Sequence, residues 1–187
     1  MISRYTRALW LATEAHEGQF RKGTPIPYIT HPVAVAGLIA KYSGDEDQQI
    51  AGLLHDVLED AGPEWEPLVA AFGPRVLSIV HACTDGVPDL ETGKKAPWKE
   101  RKESYLAHLR DEPDEALLVS ACDKLHNLES ILLDLTEIGP LVFTRFSADQ
   151  KQVLWYYASL IEVFEEKGVA PATALRRTYT QIQELCR

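Results

Sequence analysis

Cysteine, methionine and long apolar runs are all scarce in this chain. Three of its 187 residues are Cys and one is Met. Cys83, Cys122 and Cys186 lie far apart, form no CxxC pair and leave an odd count. Neither a disulfide framework nor a zinc ribbon fits that pattern, so reduced thiols and a cytoplasmic setting are expected. The longest apolar run, VAVAGLIA at residues 33–40, is too short to cross a bilayer. The stretch MISRYTRALWLATEAHEGQ lacks the uninterrupted apolar core of a signal peptide. Basic charge is short too. Nineteen Lys and Arg against 28 Asp and Glu give a formal charge of -9, which argues against a general nucleic-acid binder. A small-molecule ligand is therefore the expected partner, with no nucleic acid and no membrane, and the oligomeric state is left open.

Also missing is any run of alternating β-branched residues long enough for a strand. What is present is helical periodicity over most of the chain. Helices are expected at residues 4–17, from Pro32 to about 42, and at 46–61. Shorter segments follow at 64–72 and 74–83, then longer ones at 98–110, 114–135 and 147–166, and a last one from Pro171. GQFRKGTPIP breaks the pattern with Gly and Pro, and residues 84–97 read as a turn-rich loop. The length suits one all-α domain spanning residues 1–187.

Charge is unevenly spread along it. Residues 45–66 hold eight acidic side chains and no Lys or Arg, whereas KKAPWKERK at 94–102 holds five basic residues against one acid. A small anionic ligand could find a local positive wall there on an otherwise acidic protein.

The acidic segment contains IAGLLHDVLED, residues 50–60. Advancing 100° per residue puts Ile50, Leu53, Leu54, Val57 and Leu58 on a core-facing arc. His55, Asp56, Glu59 and Asp60 fall on the opposite arc, which a solvated helix face would explain equally well. A second helix adds weight. In DEALLVSACDKLHNLESILLDL, Asp123 and Asn127 share a face one turn apart beside an apolar stripe. A carboxylate there is partly desolvated and needs a partner, either a Lys or Arg or a metal ion. His31, in YITHPVAVA, directly precedes a helix-opening proline and would sit at a helix entrance. His31, His55, Asp56 and Asp123 together make a mixed nitrogen and oxygen donor set. That set suits a borderline-to-hard divalent ion, Mn²⁺ first, with Fe²⁺ and Zn²⁺ as alternatives.

GQFRKGTPIPYITHP, GLLHDVLED and CDKLHNL, in that order, resemble successive motifs of the HD-type hydrolase domain in RelA/SpoT homologues, across residues 8–128. The weaker FTRFSADQKQVLWYY extends the likeness towards residue 160. No synthetase segment accompanies them, so the chain is similar to the stand-alone small alarmone hydrolases. The resemblance implies an HD-type helical bundle with a buried divalent metal site, and hydrolysis of the 3′-pyrophosphate of (p)ppGpp or (p)ppApp. By motif position it implies His31, His55, Asp56 and Asp123 as metal ligands and Glu59 and Asp60 as the catalytic acid pair. Arg21, Lys22 and Asn127 match nucleotide contacts, and Arg101 and Lys102 align with a basic segment of the family. Trp98 stands where some members carry Lys. Trp155, Tyr156 and Tyr157 are either core or pocket wall. His16, His81 and His108 join no constellation and read as surface or satisfied helix residues, and His126 reads as structural. Two rival readings are an HD-type phosphohydrolase for another nucleotide, such as a nucleoside monophosphate or dNTP, and a sensor that binds an alarmone without cleaving it.

Overall fold

The computed structural model describes residues 2–86 and 96–187. Its elements run α1 (Arg4–Ala15), α2 (Thr30–Lys41), α3 (Glu46–Leu54), α4 (Val57–Asp60), α5 (Glu66–Ala70), α6 (Pro74–Cys83), α7 (Trp98–Leu109), α8 (Asp114–Ile138), α9 (Gln150–Glu166) and α10 (Ala172–Leu185). Short 3-10 stretches cover Pro63–Trp65 and Gly139–Arg145. Among the described residues there is no strand, only an isolated antiparallel bridge from Phe20 to Pro27. The all-α expectation holds. Most of the loop read at residues 84–97, together with Lys94 and Lys95 of the basic run, lies outside the described residues.

Local chemistry fixes several helix starts. Ser3 accepts the Thr6 N–H ahead of α1. Asp45 with Gln48 and Asp149 with Gln152 form reciprocal capping boxes at α3 and α9, satisfying N–H groups that a helix start leaves unpaired. The helix expected at 114–135 runs on to Ile138 and stops where Gly139 takes φ 63. The 3-10 stretch that follows was not legible in the sequence.

The 25 residues of α8 make a rod about 37 Å long at 1.5 Å per residue, and this rod divides two apolar cores. Ala116, Val119 and Cys122 pack with α1, α2, α3 and α6. Leu117, Leu125, Leu128, Ile131 and Leu135 pack with α7, α9, α10 and the 3-10 stretch. Asp123 therefore sits where the two cores meet, with 4% of its surface exposed.

The helix expected at 46–61 is interrupted. It ends at Leu54, turns through His55 and Asp56, and resumes as α4. The Gly52 carbonyl accepts a hydrogen bond from His55 Nδ1 at 2.8 Å, and a side-chain bond of this kind competes with the helical ladder. The turn swings His55 inward until it is 1% exposed, so the solvated-face reading fails for that residue. Gly52 also lets α3 lie close on α2. A Cβ there would meet Ile39 Cδ1 at 2.4 Å.

Candidate metal centre

Four side chains from three regions of sequence converge beside α8. His31 projects from the first turn of α2, His55 and Asp56 from the break between α3 and α4, and Asp123 from mid-α8. His31 Nε2 lies 3.1 Å from Asp123 Oδ1 and 3.6 Å from Asp56 Oδ2. His55 Nε2 lies 3.0 Å from Asp56 Oδ2 and 3.6 Å from Asp123 Oδ1. Donor atoms of His31, His55 and Asp123 all fall within 4.8 Å of one another.

None of these approaches has hydrogen-bond geometry, so both Nε2 atoms are buried without a hydrogen-bond partner. Two ring nitrogens and two carboxylates aimed at one small volume form a donor set that fits a divalent cation. The electrostatics agree. Burial holds His31 below its ordinary value. Burial acts the same way on His55, but the charges of Asp56 and Asp123 overcome it and hold that imidazole well above its ordinary value. Asp56 and Asp123 resist the upward push of burial and stay low, Asp56 through His55 and Asp123 through Lys124 and the two imidazoles. The pocket favours positive charge at its centre.

A second layer holds each donor in place, and most of it was not legible in the sequence. His55 is anchored through the Gly52 carbonyl. His31 Nδ1 meets His126 Nδ1 at 2.7 Å, so His126 orients a site imidazole and is more than a packing residue. The Tyr28 hydroxyl donates to Asp56 Oδ2 at 2.6 Å. Lys124 Nζ donates to Asp123 Oδ2, and Asn127 Nδ2 donates to Asp123 Oδ1, each at 2.6 Å. The two partners envisaged for a desolvated Asp123 are thus compatible. One oxygen meets a lysine while the other faces the histidines. The spacing Tyr28, His31, three residues apart before a helix, was the available signal for Tyr28.

Glu59 and Asp60 follow on α4, Glu59 half-buried and Asp60 exposed. Glu59 Oε2 accepts the Asp85 N–H at 3.4 Å, and the Asp60 backbone carbonyl accepts from Gln19 Nε2 at 3.2 Å. His81 and His108 are exposed beside Glu66 and Glu112, as expected. His16 is not a surface residue. It is 3% exposed, bonds Gln19 through Nδ1, and lies against Tyr28 with ring centroids 4.8 Å apart.

Residues 8–146 match the HD domain family. The chain belongs to that family. Among its relatives, guanosine-3′,5′-bis(diphosphate) 3′-pyrophosphohydrolase of Haemophilus influenzae is 40% identical over 126 residues, 65% of this chain and 18% of its own length. The Xenopus tropicalis enzyme of that name is 36% identical over 123 residues, 64% of this chain and 65% of its own length. The chain therefore spans less than two thirds of either relative. In fold it is similar to a metazoan SpoT orthologue that hydrolyses ppGpp, with a TM-score of 0.74, 24% identity and coverage of 99% and 98% of the two chains. A Listeria monocytogenes structure gives a TM-score of 0.69 at 26% identity, covering 81% of this chain and 97% of its own.

Next to the metal centre the HD domain opens a cavity of about 380 Å³, lined in part by Arg21, Lys22, Lys102, Lys124 and Asn127. Arg21 Nη2 donates to Asn127 Oδ1 at 2.6 Å, tying the cavity to Asp123 through one intervening amide. Arg101 and Lys102 turn inward, with side chains 16% and 15% exposed, and both pair with Asp85. Both side chains of the basic run are thus turned away from solvent. Tyr156 and Tyr157 line the cavity, whereas Trp155 stands outside it against Trp98. Among the described residues, no helix is long and apolar enough to cross a membrane. Cys83, Cys122 and Cys186 are free thiols.

Proposed function

We propose that this protein is a metal-dependent 3′-pyrophosphohydrolase of alarmone nucleotides, (p)ppGpp or (p)ppApp, yielding the nucleoside 5′-diphosphate or triphosphate and pyrophosphate. The observation that carries the reading is the pair of buried, hydrogen-bond-orphaned Nε2 atoms facing two carboxylates, set against a cationic cavity on an acidic protein. The relatives named for this reaction support it.

In this reading His31, His55, Asp56 and Asp123 hold one divalent ion. The donor set of two imidazoles and two carboxylates favours Mn²⁺, with Fe²⁺ and Zn²⁺ the alternatives it admits. Such an ion offsets phosphate charge and acidifies water. Glu59 takes the proton of the attacking water as general base, and Asp60 orients that water. The water oxygen forms a bond to the 3′-linked phosphorus, the bond from phosphorus to the ribose 3′-oxygen breaks, and that oxygen leaves as a hydroxyl, its proton supplied by solvent as Glu59 returns the water's proton to solvent. Arg21, Lys22, Arg101 and Lys102 neutralise the phosphate groups, and Asn127 couples the nucleotide to Asp123.

Incubation with Mn²⁺ and ppGpp, ppApp, GTP or dGTP, followed by ion-exchange separation, tests the reading. Pyrophosphate released only from the 3′-pyrophosphorylated nucleotides is the expected result. Turnover of dGTP alone would favour an HD-type phosphohydrolase of another nucleotide.

A further inference from the structure

The cavity extends along α8 away from the metal centre, and α8 serves as its ruler. Asp123, Asn127, Ser130 and Asp134 stand at intervals of four, three and four residues, which places them within about 60° on one face of the helix. Asn127, Ser130 and Asp134 all line the cavity. Asp134 lies eleven residues beyond Asp123, about 16 Å along the axis. That span accommodates an ion, a phosphoryl group, a ribose and the width of a purine. The far end is walled by Ile131, Val142, Phe146 and Val153, an apolar slot suited to a flat ring.

At that end Arg145 Nη1 donates to Asp134 Oδ2 at 2.5 Å, with side chains 19% and 27% exposed. Among the described residues, no other hydrogen bond engages Asp134 Oδ1 or the remaining N–H groups of Arg145. The guanidinium is held at its stem as well. Gly23, at φ +71, passes so close that a Cβ there would meet Arg145 Cγ and Cδ at 2.7 Å. The pair is therefore pinned before any ligand arrives, and a fixed donor beside a fixed acceptor can read a base edge.

We propose that Asp134 and Arg145 read the nucleobase and select guanine over adenine. The proposal rests on the alarmone hydrolase reading and deepens it. Guanine presents an acceptor, O6, next to the donors N1–H and the 2-amino group. Arg145 donates to O6, and Asp134 accepts from N1–H and the 2-amino group. Adenine reverses the pattern, setting its 6-amino group against Arg145 and its N1 lone pair against Asp134. A well-placed bidentate pair discriminates between bases by on the order of 10- to 100-fold.

The test compares kcat/KM for ppGpp, ppApp and the inosine counterpart ppIpp in the Mn²⁺-loaded protein, in Asp134→Asn and in Arg145→Lys. The wild type is expected to prefer ppGpp to ppApp by on the order of 10- to 100-fold. ppIpp, which keeps O6 and N1–H, is expected to stay much closer to ppGpp than to ppApp. Asp134→Asn, whose amide can flip to suit either base, is expected to bring the ratio towards one. Arg145→Lys is expected to narrow it with the fold intact. Equal use of both bases by the wild type overturns the proposal. So does a proportional loss on both bases in the two variants, which is the signature of a purely structural ion pair. If the wild type cleaves neither nucleotide, the hydrolase reading fails separately. Equilibrium binding of ppGpp and ppApp to the chelated wild type then decides base reading, with guanine preference upholding it and no preference or no binding overturning it.

Discussion

The two ends of α8 differ in how they are built. Around Asp123 the functional groups are almost fully buried, and His31, His55 and Asp123 are 1%, 1% and 4% exposed. Every one has its second polar atom tied to a named neighbour. Around Asp134 the groups are part-exposed, drawn from α8, the 3-10 stretch and the Gly23 turn, and held by a single ion pair and close packing. The first end is arranged to fix one small ion. The second offers a slot with a patterned edge. Chemistry needs sub-ångström placement and therefore the core, whereas recognition of a substrate that must enter and leave needs an open rim.

The sharpest way to break this contrast is to remove groups at the buried end. Glu59→Gln is expected to lower kcat by about 10²- to 10⁴-fold with metal content unchanged, as befits a lost general base. Asp123→Ala is expected to lose both turnover and metal. It also leaves Lys124 buried without its carboxylate, at a cost of about 3–5 kcal/mol in chemical denaturation. Normal metal occupancy in Asp123→Ala would remove Asp123 from the ligand set.

A smaller effect probes the supporting layer. Tyr28→Phe deletes only the hydrogen bond to Asp56 and is expected to weaken metal affinity by about 10- to 100-fold, measured by titration against a competing chelator. An unchanged affinity would mean that Asp56 needs no orienting partner. Gly52→Ala tests the close approach of α3 to α2. Ile39 can shift its terminal methyl, so the expected loss is about 1–3 kcal/mol of stability, read as a lower denaturation midpoint at unchanged slope.

The smallest effect is a pH dependence at Lys102, on the cavity wall near the metal centre. Burial, reinforced by the charge of Lys124, lowers the Lys102 ammonium to about 8, even with Asp85 beside it and with Glu59, Asp123 and Asp56 acting in the opposite direction. Lys102 is charged below that value and neutral above it. Its hold on an anionic substrate is therefore complete at lower pH and fades as pH rises through about 8. KM is expected to climb several-fold across that range, and Lys102→Arg is expected to flatten the climb because a guanidinium stays protonated. A climb that persists in Lys102→Arg would assign the titration to another group.

The same contrast governs what the sequence disclosed. Helix positions were legible because apolar periodicity and capping residues are local signals; the capping box at α3 stands at the expected start, and the one at α9 opens that helix at Gln150, three residues after the expected 147. The four candidate metal-site residues were legible because their types and motif order are distinctive, and the structure brings all four together. The break at His55 and Asp56 was not. It depends on the His55 ring taking the Gly52 carbonyl, a choice that uniform 100° counting along the chain hides. His126 was read as structural because its partner His31 lies across the fold, and Lys124 was passed over because its bond to the adjacent Asp123 is not a contact that helical spacing suggests. Asp134 and Arg145 pair only because the 3-10 stretch folds back on α8, and no local pattern announces that turn.

The buried end carries its own scaffolding. His31, His55 and Asp123 are each fastened through a second atom, to His126, the Gly52 carbonyl and Lys124 respectively, while Asp56 takes the Tyr28 hydroxyl on Oδ2, the oxygen that also faces both imidazoles. Those bonds come from within the protein and set the direction in which each candidate donor points.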